Sequence, residues 1–165
     1  SILLDQAFTQ TALQQDIKSS TYPIVHIATH GQFSSDYDQT FLLSWDSLIK
    51  IRQLDSILQG RTVTGANAIE LLVLSACESA SGDKRAALGL GGIAVRSGAR
   101  STIATLWSVN DEASAEFVRQ FYQELARAKI SKATAMRQAQ LALLDNPRYQ
   151  HPFYWSAYVL LGNWL

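Results

Sequence analysis

One cysteine and three histidines are the residues of this 165-residue chain best suited to nucleophilic chemistry, and their neighbours narrow the choice. Cys77 stands in Ser75-Ala76-Cys77-Glu78-Ser79, directly after the apolar run Ile69–Leu74. His30 stands in Thr29-His30-Gly31, directly after the largely apolar run Ile24–Ala28. A thiol attacks as its thiolate; a nearby imidazole raises the thiolate fraction and later protonates a departing amine. Gly31 adds an N–H with no Cβ to shield it, and together with the N–H of Cys77 it offers two donors to an oxyanion. A lone cysteine is ordinarily a small buried hydrophobe. The position of Cys77, after an apolar run and before the polar stretch Glu78–Arg85, favours the nucleophile instead.

The other candidates read as structural. His26 lies inside Ile24–Ala28 and reads as a satisfied core histidine. Strand residues four apart are separated by about 13 Å, too far for His26 and His30 to share a zinc with Cys77 through short bonds, so no metal site is expected. Gly89-Leu90-Gly91-Gly92 lacks the P-loop lysine and the dinucleotide-binding spacing, and reads as close helix packing or a mobile loop. His151 beside Pro152 reads as part of a turn, and Phe153, Tyr154, Trp155 and Tyr158 as core and sheet edge. Asp36 and Asp38 read as solvated loop carboxylates, with a second acidic rim as the alternative.

Positioning His30 and Cys77 requires neighbouring strands whose carboxyl ends open on one crevice, where open α/β sheets bind ligands. Short apolar runs alternate with amphipathic stretches, which predicts an α/β domain with a largely parallel sheet. The strands are expected at Ile24–Ala28, Ile69–Ser75, Thr102–Leu106 and Phe153–Leu161, with a small hairpin at Phe41–Trp45 and Leu48–Ile51. Helices are expected from a Thr9 or Thr11 cap to about Ser19, over Gln53–Leu58 ending at Gly60, and over Leu90–Ser97. Two more are expected, one from Asn110 or Asp111 to about Ala128 and one from a Ser131 cap to before Asn146-Pro147. Thr29–Gln39 reads as a polar loop.

The strings HIATHGQF (His26–Phe33), ELLVLSACES (Glu70–Ser79), ARSTIATLWSVND (Ala99–Asp111) and HPFYWSAYVLLG (His151–Gly162) together resemble the CHAT family of caspase-like proteases. The resemblance runs in order over nearly the whole chain. It implies a caspase-type sheet flanked by helices, with His30 matching the catalytic histidine and Cys77 the nucleophile. Cys77 lies 47 positions after His30, in keeping with the roughly 50-residue separation in caspases. The family also implies a preceding strand and helix that this chain does not supply, sensor or helical-repeat modules before it, and work in bacterial signalling or defence by cleaving one or few partner proteins. Ser-Ala-Cys-Glu-Ser departs from the caspase string Gln-Ala-Cys-x-Gly, which argues against cleavage after aspartate. Leu106–Asp111 resembles the corresponding segment of separases, where an acidic residue meets the arginine of the substrate. Asp111 is therefore either a carboxylate favoured by a helix dipole or the acid of a specificity pocket for a basic residue.

Composition agrees with one domain over residues 1–165: hydrophobic residues are 47% and charged residues 17%, enough for a core and too apolar for a disordered chain. Fourteen basic and fourteen acidic side chains cancel, so nothing calls for nucleic acid. The apolar runs are too short to cross a membrane, and Ser1–Gln10 carries Asp5 with no basic segment of a signal peptide. A single cysteine allows no intrachain disulfide and fits a cytoplasmic setting. Lacking an initial Met, the chain is expected to be the C-terminal part of a longer protein. The expected function is a cysteine endopeptidase acting on a protein or peptide substrate without a cofactor; the alternative is a noncatalytic caspase-fold interaction or scaffold module.

Overall fold

The computed structural model describes residues 1–34, 36–63, 68–75, 78–79, 93, 96–127 and 130–165. Among these, the frame is a four-stranded sheet built from β1 (Ile24–Ala28), β5 (Leu71–Ser75), β7 (Ser101–Thr105) and β8 (Tyr158–Gly162), in the order β1-β5-β7-β8. The first three strands run parallel and β8 closes the edge antiparallel. The expected α/β architecture, a mostly parallel sheet flanked by helices, is the one observed.

Strand β5 explains the layering. Leu71 to Leu74 are all buried, as an unbroken apolar run at the centre of a parallel sheet must be. Because alternate residues face opposite sides, Leu72 and Leu74 join Val25, Ile27, Leu13 and Ile17 in one core, and Leu71 and Val73 join Ile103, Phe117 and Phe121 in the other. The first core is covered by α1 (Gln10–Ser19) and α2 (Ile51–Val63). Thr9 caps α1, its side chain accepting from the N–H of Ala12. At the start of α2, Gln53 reaches back to accept from the N–H of Lys50, and the helix runs on through Gly60, longer than its apolar pattern suggested.

The second core is covered by α3 (Asp111–Ala126) and α4 (Lys132–Asp145). Asn110 caps α3 and Ser131 caps α4, each through its side-chain oxygen. Ala113, Ala135 and Ala139 are fully buried, and their small size lets these helices lie close to each other and to the sheet. Tyr158 of β8 stacks on Phe117 with ring centroids 3.4 Å apart.

A second, smaller sheet sits beyond the carboxyl ends of β1 and β5. It contains β2 (Gly31–Phe33), β3 (Phe41–Leu43), β4 (Leu48–Lys50) and β6 (Glu78–Ser79), in the order β4-β3-β2-β6. The expected hairpin is β3–β4, with Leu42 opposite Ile49. The expected loop Thr29–Gln39 instead contains β2 and a 3-10 turn at Tyr37–Gln39. The expected strand Phe153–Leu161 divides into a short helix, α5 (Pro152–Trp155), and β8; Pro152 occupies the first turn, where its missing N–H costs nothing, and His151 caps it. The expected helix Leu90–Ser97 lies largely outside the described residues.

Candidate active site

Two parallel strand pairs bracket the site. In the large sheet Ala28 pairs with Ser75; in the small sheet Gln32 pairs with Glu78. His30 belongs to the short segment that joins β1 to β2. The matching segment that joins β5 to β6 is Ala76-Cys77, and Cys77 lies outside the described residues. Ser75 and Glu78, the described residues on either side of that segment, are thus each paired with a residue that flanks His30. The backbone joins the strands further: the N–H of Thr29 donates to the Ser75 carbonyl at 3.3 Å, and the Thr29 hydroxyl donates to the Leu43 carbonyl at 2.8 Å.

His30 is exposed, and its ring makes no hydrogen bond among the described residues. Its carbonyl accepts from the N–H of Leu43 at 2.8 Å, which makes His30–Leu43 a hydrogen-bonded antiparallel pair. Gly31 and Leu42, the next pair, are therefore not hydrogen-bonded to each other, and the N–H of Gly31 points away from β3 toward the β6 side. Gly31 is also required for packing: a Cβ there would lie 2.7 Å from the Phe41 carbonyl oxygen.

A cleft of about 420 Å³ opens beside His30. Its wall includes His26 and Ser75 from adjacent strands, Thr105 at the end of β7, Ser108 in the segment that follows, and Asp111 and Ser114 in the first turns of α3. The structure thus brings Asp111 and His30 to one cavity. Asp111 is exposed at the first position of α3, in the favourable end of the helix dipole, while the cap itself is Asn110. Trp107 is not part of this wall: its indole N–H donates to the Phe153 carbonyl at 2.9 Å while its ring stacks on Phe153. A larger groove of about 780 Å³ follows the outer edge of β1, with Phe8, Ile24, His26, His30, Leu43 and Trp45 on its walls.

His26 is the residue that sequence reasoning misplaced. Val25 and Ile27 are buried, but Ile24, His26 and Ala28 form an open face of β1. The imidazole is held between elements: Nε2 is 3.1 Å from the Ser75 hydroxyl and Nδ1 is 3.2 Å from the Tyr122 hydroxyl. The residue keeps solvent access, yet its neighbours strip enough water from the ring to hold its pKa below the ordinary value. Burial likewise pushes the Tyr122 phenol up to about 12, so it stays protonated at neutral pH. The remaining expected carboxylates are peripheral: Asp38 pairs with Arg52 at 3.5 Å on the surface, and Asp36 accepts from the Asp38 N–H.

Among the described residues, no helix is long and apolar enough to cross a membrane. The family model described as CHAT domain matches residues 1–163. No curated protein matches the chain.

Proposed function

This chain belongs to the CHAT family of caspase-like proteins, and from that premise we propose that it is a cysteine endopeptidase with Cys77 as nucleophile and His30 as base. The observation that carries this reading is the double strand pairing around the two residues. Ala28 pairs with Ser75 before them and Gln32 with Glu78 after them, which supports a dyad formed by His30 and Cys77.

In the proposed reaction, His30 takes the proton from the Cys77 thiol and the thiolate attacks the scissile carbonyl carbon. The N–H of Gly31 helps to hold the resulting oxyanion. His30 then gives its proton to the departing amine, leaving a thioester that water hydrolyses. The substrate is an exposed, extended segment of a partner protein. Asp111, across the cleft from His30, receives a basic side chain at the residue before the scissile bond, arginine better than lysine because a guanidinium matches a carboxylate through two parallel bonds. These steps need no cofactor.

The direct test is labelling with a peptidyl electrophile that carries arginine next to its reactive group. Stoichiometric modification of Cys77 that falls away in His30→Ala is the expected result. Equal, slow labelling of both proteins would remove the dyad and leave a noncatalytic interaction module.

A further inference from the structure

Outside the proposed dyad, the most unusual polar group of the cleft is the second histidine. His26 is tied to two other elements that build the site: to Ser75, two residues before Cys77, and to Tyr122 on α3, the helix that begins with Asp111. A neutral His26 donates from one ring nitrogen and accepts at the other, and the Tyr122 phenol and the Ser75 hydroxyl can each take either role. The ring and the Ser75 hydroxyl then form one neutral, polar wall of the cavity that Asp111 also lines.

We propose that His26 is a specificity-determining residue of this cleft: neutral, it lets a cationic side chain settle against Asp111, and protonated, it expels one. The inference rests on the reading that the cleft receives a basic substrate side chain. Protonation does not break the local network, because Tyr122 and Ser75 can each turn to accept from a ring that donates at both nitrogens. What changes is charge. A positive ring on the same wall as the bound guanidinium opposes Asp111 through a partly desolvated space, where repulsion between like charges is strong.

Among the described residues, the ionisable groups around His26 are few. Tyr122 faces it from α3, and Asp111 and His30 share its cleft. On the outer side of β1, Asp5, Asp16 and Tyr22 line the larger groove with it, while β5 presents only the Ser75 hydroxyl. The lowered pKa of the ring keeps it neutral near neutrality and places the switch on the acid side.

The test measures binding of N-acetylargininamide, a simple guanidinium probe, to the full chain carrying Cys77→Ala, from about pH 8 to about pH 5, with and without His26→Gln. The expected result is a loss of affinity of about tenfold on acidification that is much reduced in the His26→Gln protein. Asp111 is present in both proteins, so its own contribution cancels in the comparison. Nuclear magnetic resonance of the imidazole nitrogens gives a second measure without the variant: by linkage, bound probe must lower the His26 pKa further. The proposal is overturned by the same pH dependence in both proteins, by an unmoved His26 titration, or by no binding at any pH. Cleavage by the unmodified chain is assayed separately. A chain that binds the probe through a His26-dependent profile yet cleaves nothing loses the protease reading alone, whereas one that cleaves after arginine with no His26 dependence loses this inference alone.

Discussion

Gly31 and Phe41 lie closer than any side chain at position 31 would permit: a Cβ there would approach the Phe41 carbonyl oxygen to 2.7 Å and the Leu42 side chain to 2.8 Å. The obstacle is backbone of the neighbouring strand, which cannot rotate away. Gly31→Ala should therefore force β2 and β3 apart and cost about 1–3 kcal/mol, the usual penalty of overpacking. Urea unfolding with a lowered midpoint and unchanged slope is the expected reading. Cleavage should fall further than stability explains, since the same residue carries the N–H proposed to meet the oxyanion. A variant as stable as the parent would mean that the two strands have room to spare.

Cys77→Ala and His30→Ala should separate chemistry from folding. Cys77→Ala is expected to end proteolysis with the melting temperature nearly unchanged. His30 is exposed and makes no side-chain hydrogen bond among the described residues, so His30→Ala should also fold normally while turnover drops by at least ~10² through loss of general-base catalysis. Residual cleavage by Cys77→Ala would assign the nucleophile to another residue.

Asp111→Asn is expected to abolish a preference for arginine before the scissile bond in a peptide library. Its effect on stability should stay within about 0.3–1 kcal/mol, the usual worth of an exposed carboxylate at a helix start, because Asn110 still caps the helix. An unchanged cleavage profile would leave Asp111 as a dipole partner only.

Stability should also depend on pH through His26. Its folded-state pKa is held below the ordinary value by desolvation, so as pH falls below about 6.5, the usual histidine value, the unfolded chain takes up a proton that the folded chain refuses. Stability must then decline with acidification until pH passes the folded pKa. Thermal unfolding of the parent should show this slope and His26→Gln should lack that part of it. Parallel profiles would mean that the ring is as well hydrated in the fold as in the open chain.

Much of this frame could be read before the structure was seen. The run Leu71–Leu74 has the unbroken apolar character that burial on both faces demands, and Thr9, Asn110 and Ser131 mark helix starts by a local chemistry that needs no tertiary contact. The small sheet was less legible. Gly31–Phe33 and Glu78–Ser79 are too short to display a period, and their pairing joins segments far apart in the chain. His26 was misread because Ile-Val-His-Ile-Ala looks buried throughout, whereas β1 is an edge strand with one open face. Pro152 carries a usable signal for the short helix, but the β propensity of the aromatic run after it points the other way. In the candidate site, His30 and Asp111 share a cavity because separate strands of one sheet end at the same side, which follows from the α/β reading. The His26–Tyr122 contact spans 96 positions and leaves no trace in local sequence.

The paired strands around the site also decide where this chain can change length. Between Ala28 and Gln32 lie three residues, and between their partners Ser75 and Glu78 lie two. Adding or deleting one residue in either segment would slip β2 against β6 and turn alternate side chains, buried Phe33 among them, to the opposite face. In descendants of this chain the two joints beside His30 and Cys77 should therefore keep their length even where their residues are exchanged.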